Sequence, residues 1–294
     1  MRRRALDIAV DLAGWGSTVL LLGAAGAVVG FLLYKGWHSL GTELIFGDTA
    51  PLDALLLHRP VFDGLFPAMV GTLALVLLAV SLAVPLGLAA GIYMAEYGRG
   101  RIQQALGLFF DILAGVPSIL VGLFGFSVAV FLHRQFGGRI YPCLLISALS
   151  LAFLVLPYLI RTTQNALEGL PADVRRTAPA LGATRLQNIR FVLLPRALPG
   201  ILSGVILAVG RCAEDTAVIM LTGVVASAGL PRSLLSPYEA LPFYIYYISS
   251  QYRNPDELAT GYGAALILMA ICALLLTAAV MIQHRLRALA HQRL

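Results

Sequence analysis

The 294 residues are 59% hydrophobic and only 12% charged, with a mean hydropathy of +0.84. A water-facing domain of this length exposes far more Lys, Glu and Asp, so a soluble globular enzyme is excluded. The net charge of +6 sits in short arginine groups at the ends of apolar runs, and a nucleic-acid reading has no support.

Uncharged runs cover 15–34, 64–95, 112–132, 140–160, 216–231 and 258–283. A helix rising 1.5 Å per residue needs about 20 residues to cross a hydrocarbon layer of roughly 30 Å. The short run 216–231 continues backwards through Arg211, Glu214 and Asp215 into 197–210, and the two halves together predict one further span. Runs this long and non-alternating are helical, because lipid leaves backbone polar groups no partner outside a helix or closed barrel. The expectation is an all-α polytopic membrane protein with six transmembrane helices.

The opening "MRRR" and the apolar run after it have the outline of an export leader. Asp7 and Asp11 intervene, however, and the apolar segment is too long for one, so an anchored first helix is expected. An outer loop with "GDTAPLDALLLHRPVFDG" follows, dividing the chain into 1–62, a first helix and loop, and 63–290, a helical core. Arginine placement gives the orientation. With the N-terminus inside, 14 of the 21 basic residues fall on the cytoplasmic side, and both termini lie there. The outer side holds six basic residues against seven acids.

The core begins at "VGTLALVLLAVSLAVPLGLAAGIYMAEYGRG", with Gly71, Pro85, Gly87 and Gly91 in its apolar body. Small residues let membrane helices approach closely, and neighbours can satisfy the carbonyl that a proline frees. The third span, "ILAGVPSILVGLFGFSVAVFL", surrounds Pro117 and Ser118 with glycines, which suits tight packing or a kink that lines a pathway. Cys143, Cys212 and Cys272 lie far apart in apolar spans and read as small buried hydrophobes. The aromatic segment near Tyr244, Tyr246 and Tyr247 suits the outer headgroup level.

The inner connection 161–196 is patterned. Leu170, Val174, Ala178 and Leu181 share one helical face, and Gly182 breaks it. Thr184 with Gln187 three residues on forms a capping box for a second short helix, which Pro195 closes. The product is a helix–glycine–helix elbow with apolar and basic faces. It suits either anionic headgroups or a groove on a partner protein.

"GRCAEDTAVIM" places three charges within five residues of an apolar span. A charge at bilayer depth costs on the order of 3 kcal/mol and must face protein or water. Glu214 and Asp215, three and four residues past Arg211, share its side of the helix. The cluster either neutralises itself to fix packing, or holds Arg211 as an anion-attracting group beside a pathway.

"ALGATRLQNIRFVLLPRALPG" resembles the cytoplasmic motif of permease subunits in binding-protein-dependent ABC importers, with Gly182, Val192, Leu194 and Pro195 in matching register. "GTLALVLLAVSLAVPLGLAAGIYMAEY", "AGVPSILVGLFGF" and the segment at 241–247 are similar to the PstA-type subunit of phosphate importers. The motif's usual Glu is Arg176 here and its first Ala is Thr177. The family's Arg-Ala-x-Gly-Glu-Thr-Ala-Pro becomes Arg211-Cys212-Ala213-Glu214-Asp215-Thr216-Ala217-Val218.

The resemblance implies a type I ABC importer permease fold in the bacterial inner membrane. Its partners would be a second permease subunit (PstC-like), a dimer of ATPase subunits and an extracytoplasmic binding protein. It makes Arg175, Arg176, Ala178, Leu181, Gly182, Ala183, Thr184 and Pro195 the ATPase-coupling residues. Arg211, Glu214, Asp215, Thr216, Pro117 and Ser118 become candidates for the pathway. The chain has no G-x-x-x-x-G-K-[ST], so no cofactor is expected on it and ATP would be used by the partner ATPase. Phosphate is the implied cargo, with sulfate, molybdate or tungstate, or phosphonate as the alternatives. A stand-alone channel or secondary transporter leaves the elbow unexplained. An intramembrane enzyme fails because the adjacent Glu214 and Asp215 point about 100° apart on a helix.

Overall fold

The computed structural model describes the backbone of residues 2–55, 61 and 64–292. The expected boundary at 62/63, and with it Arg59, Asp63 and Arg293, lies outside the described residues. Six helical stretches are long and apolar enough to cross a membrane: Val10–Ser39, Phe66–Tyr97, Ser118–Gln135, Leu144–Glu168, Arg185–Glu214 and Pro255–Leu286. Among the described residues there is no strand, and one isolated bridge pairs Val224 with Tyr238.

Helix α1 (Arg2–Gly36) packs along α13 (Pro255–Gln292), and from Val10 to Lys35 its side chains are otherwise almost all exposed. Two short helices, α2 (Thr42–Phe46) and α3 (Pro51–Leu55), follow it. Helix α4 (Phe66–Ile92) and α7 (Leu144–Glu168) form the centre, with α10 (Leu194–Glu214) against both. The main apolar core lies between these three helices, around Leu75, Leu151, Val155 and Ala208. Glycines set the approach of α4 to α7. A Cβ on Gly87 would stand 2.6 Å from Leu159 Cβ, and one on Gly91 2.5 Å from Thr163 Cβ. Close backbone approach is the reason such positions exclude side chains in membrane bundles.

Three expectations are corrected. The run 112–132 is not one helix. Helix α5 (Gly100–Ala114) is a separate amphipathic helix, and α6 (Ser118–Gln135) starts after a turn at Gly115–Pro117. Pro117 therefore precedes its helix instead of kinking it, which suits a residue without an N–H to donate. The run 197–231 is also broken. Helix α10 ends at Glu214, Asp215 is extended, and α11 (Ala217–Thr222) is a separate short helix packed on α6. Pro195 does not close the second elbow helix. That helix, α9 (Arg185–Asn188), passes through a π-helical turn, Ile189–Leu193, directly into α10. A wide turn before the proline ring relieves its clash with the preceding carbonyls, so the span begins at Arg185.

The segment after α11 folds back into the bundle, and its polar backbone is satisfied there. Cys143 N–H donates to Thr222 O, Leu144 N–H to Ser236 O and Leu145 N–H to Leu234 O, all within 3.1 Å. Glu239, 8% exposed, accepts from the Ala228 and Gly229 amides at 2.8 and 2.7 Å. Thr72 on α4 accepts the Leu241 amide at 2.9 Å and so fixes the start of α12 (Leu241–Gln251). Cys143 and Cys212 are buried and Cys272 is half-buried, all three unpaired.

Candidate functional site

Two groups of residues carry the chemistry, one at the elbow and one in the bundle. Helix α7 runs on to Glu168, so the elbow proper is residues 169–193, with α8 (Ala172–Ala180) as its first arm. Gly182 has φ +84°, the left-handed region that favours glycine, and open space around it. Thr184 and Gln187 form the full capping box at α9. Val174 and Leu170 pack with Leu167, Ile189 and Leu193 against Leu88 and Ile92 of α4 and Ala95 in the turn that follows it.

Of the eight coupling candidates, Arg176, Leu181, Gly182 and Thr184 are exposed, and Ala178 and Ala183 are half-exposed. Pro195 lies in the start of α10. Leu181, 85% exposed, is not on the docked face of α8 that its spacing suggested, because α8 ends at Ala180 and the chain has already turned. Leu186 and Phe191 are also strongly exposed, so α9 and the π-helical turn after it present apolar side chains outward beside Arg185 and Arg190.

Arg175 faces the other way. Its guanidinium pairs with Glu96 and also donates to the carbonyls of Ala95 and Leu167, at 3.4 and 3.3 Å. It is an internal tie, unlike the outward Arg176.

A second tie holds α5. Arg161 lies inside α7 and forks onto Asp111, Nε to Oδ1 at 2.9 Å and Nη2 to Oδ2 at 2.6 Å. It also donates to Gly107 O at 2.7 Å and to Gln164 Oε1 at 2.9 Å. Bidentate charged pairs of this kind fix orientation as well as distance. Glu96 and Asp111 were not singled out in the sequence. Each is a lone acid at the end of an apolar stretch, and that isolation is the signal that marks it.

In the bundle, Arg211 reaches forward along the last turn of α10. Its Nη1 donates to Glu214 Oε1 at 3.0 Å, and its Nη2 stands 3.7 Å from Asp215 Oδ2. The two acids differ. The Asp215 side chain is 3% exposed and its Oδ1 accepts the Val218 amide at 2.9 Å, so it joins α10 to α11. The Glu214 side chain is 63% exposed and meets Arg211 alone. Thr216, at the start of α11, is half-exposed and makes no side-chain cap.

Arg211 opens into a cavity of about 280 Å³ between α7 and α10, lined also by Val155, Tyr158, Leu207 and Ala208. Tyr158 was not singled out in the sequence either. Its hydroxyl donates to Ala114 O at 3.4 Å, next to the turn that carries Pro117 and Ser118. The structure thus brings Arg211, Glu214 and Asp215 together, while Pro117 and Ser118 stand at the start of α6 and do not line the Arg211 cavity.

The comparisons agree with this architecture. Residues 87–288 match the model of the family "binding-protein-dependent transport system inner membrane component". The chain is 35% identical over 257 residues to the phosphate transport system permease protein PstA of Haemophilus influenzae, covering 86% of each. It is 35% identical over 225 residues to PstA 1 of Mycobacterium tuberculosis, covering 75% of this chain and 70% of that one. Among solved structures, the inward-facing MetNI methionine ABC transporter superposes with a TM-score of 0.60 at 19% identity, covering 81% of this chain and 99% of that one. At that identity the likeness shows the fold, an ABC importer permease. The six spans, the elbow and a family match over more than half the chain have one meaning: this protein belongs to the binding-protein-dependent transport system inner membrane components, as a multi-pass permease subunit.

Proposed function

We propose that the chain is the membrane permease subunit of an ATP-driven importer of inorganic phosphate. The observation that carries the cargo is the 35% identity to PstA of Haemophilus influenzae across most of both chains. The Arg211 cavity supplies a guanidinium that an oxyanion can meet between two spans, with Glu214 and Asp215 as the partners it must leave to do so. The arginine count puts the elbow and both termini in the cytoplasm. Arg176, Leu181, Gly182, Thr184, Arg185 and Leu186 form the outward face on which an ATPase subunit docks. An ATPase dimer, a second permease subunit and an extracytoplasmic binding protein complete the machine, and ATP is hydrolysed on the partner. Closure of the ATPases moves the elbow, the helices rock, and the cavity exchanges sides.

The test is ³²P-phosphate uptake in cells lacking their own high-affinity importer, with the candidate partners co-expressed and sulfate, molybdate and arsenate as competitors. Saturable uptake insensitive to sulfate and molybdate is expected. An assembled complex that takes up another of these anions, and not phosphate, overturns the substrate. Arg211→Ala is expected to abolish uptake while leaving the complex assembled. Failure to assemble would make Arg211 a packing residue only.

A further inference from the structure

The inner end of α4 is wound as a π-helical turn, Tyr93–Tyr97, and both arms of the elbow reach it. From α8, the Arg175 guanidinium pairs with Glu96, whose side chain is only 10% exposed. The same guanidinium spans to Ala95 O in that turn and to Leu167 O on α7. From α9, the Arg185 guanidinium lies over the Tyr97 ring at 5.2 Å, and Tyr97 stacks on Tyr93. The arms are also tied to each other, since Asn188 Nδ2, on a side chain that is almost fully buried, donates to Arg175 O at 3.0 Å. The elbow is therefore clamped onto one turn of one membrane helix by a part-buried ion pair and a cation–π contact.

We infer that Glu96 is a positioning residue for transport, through which displacement of the elbow is transmitted to α4. The inference rests on the elbow being the ATPase contact. A largely covered carboxylate held by a guanidinium resists separation more than a solvated pair, because pulling them apart leaves the Glu96 charge unpaired where little water reaches it. The apolar contacts of Val174 and Leu170 on α4 can slide, whereas a charge-assisted hydrogen bond has a fixed geometry. Two residues before the turn, Gly91 lets α4 meet α7 at van der Waals distance, so the pull continues into the helix that carries Tyr158. The elbow then moves α4 and α7 as one body, and the wall of the Arg211 cavity moves with them.

The experiment uses the assembled complex in proteoliposomes, measuring ATP hydrolysis and phosphate uptake in the same vesicles. Glu96→Gln keeps the size and one acceptor but removes the charge. Its hydrolysis is expected to stay within about twofold of the parent, while uptake per ATP falls at least tenfold. Exchange of the pair, Glu96→Arg with Arg175→Glu, is expected to recover a large part of that ratio. Spin labels at Ala172→Cys on the elbow and Leu86→Cys on α4, both exposed positions outside the docking face, give a readout that needs no cargo. Their separation is expected to hold steady on nucleotide trapping in the parent and to shift or broaden in Glu96→Gln. A parent-like ratio and separation in Glu96→Gln overturn the inference. So does a parallel loss of hydrolysis, uptake and assembly in Glu96→Gln accompanied by normal coupling in the milder Tyr97→Leu, since a mere staple behaves that way. A complex that keeps the parent separation but moves no phosphate overturns the cargo assignment and leaves the role of Glu96 standing.

Discussion

Gly71 is the position where the bundle tolerates a methyl group least. A Cβ built there stands 2.0 Å from the carbonyl oxygen of Glu239, whereas ordinary contact begins near 3.4 Å, so Gly71→Ala must open the gap by 3.4 − 2.0 = 1.4 Å. The obstacle is backbone, and it is held on both sides. The Glu239 carboxylate is anchored by the Ala228 and Gly229 amides, and the Leu241 amide donates to Thr72 Oγ1, one residue along α4 from Gly71. Overpacking of this kind costs about 1–3 kcal/mol, and losing the Thr72 bond adds about 1 kcal/mol. The better helix propensity of Ala returns about 1 kcal/mol. The net destabilisation is about 1–3 kcal/mol. A thiol-reactive dye in detergent reads it directly, because Cys143 and Cys212 are buried and become reactive on unfolding. Gly71→Ala is expected to melt several degrees below the parent, and Gly30→Ala, with no atom within 4 Å of the added Cβ, at the parent temperature. Equal melting of Gly71→Ala and the parent would refute the packing of the 223–240 segment on α4.

At the elbow, Gly182→Val meets no neighbouring atom but forces a β-branched residue to φ +84°, costing about 1–2 kcal/mol in local conformation. Uptake by the full complex is expected to fall while the permease itself stays folded, and normal uptake would count against the docking face. Arg161→Ala releases Asp111 and Gly107 O together, so amides of Gly100–Ala114 are expected to exchange with deuterium on the order of tenfold faster, about 1.4 kcal/mol. Asp111 is largely exposed, which holds the expected effect to that size. Unchanged exchange would show α5 held by its apolar contacts alone.

Short-range features were legible in the sequence. The capping box at Thr184 and Gln187 and the break at Gly182 depend on neighbours three or four residues away, and both stand as expected. Hydropathy located the six spans but misplaced the start of the third and both ends of the fifth. Absence of charge does not reveal chain direction, and the stretch after Asp215 avoids charge because it folds back into the bundle, where the carbonyls of Thr222, Ser236 and Leu234 accept from the distant amides of Cys143, Leu144 and Leu145. Pairings across the fold were not legible. Arg175 lies 79 residues from Glu96, and Arg161 lies 50 from Asp111. Arg175 therefore read as a surface contact although it points inward.

The two acids beside Arg211 differ in what holds them, and their substitutions separate packing from transport. Asp215 is buried and receives the Val218 amide, so Asp215→Ala removes both that acceptor and the buried partner of Arg211. Losing such a helix-start acceptor costs about 0.5–2 kcal/mol, and the dye-monitored midpoint is expected to fall. Asp215→Asn keeps the acceptor and is expected to restore most of it. Glu214 is exposed, touches Arg211 alone and supports no backbone group. Glu214→Gly is therefore expected to leave assembly unchanged. It takes the local charge from one arginine against two acids to one against one, so the field at the cavity mouth moves from net negative to neutral. For an anionic cargo the expected result is a lower KM for uptake, largest at low ionic strength, where charge is least screened. A KM that does not change, in a complex that melts normally, would remove Arg211 from the path of the anion and leave it holding the end of α10.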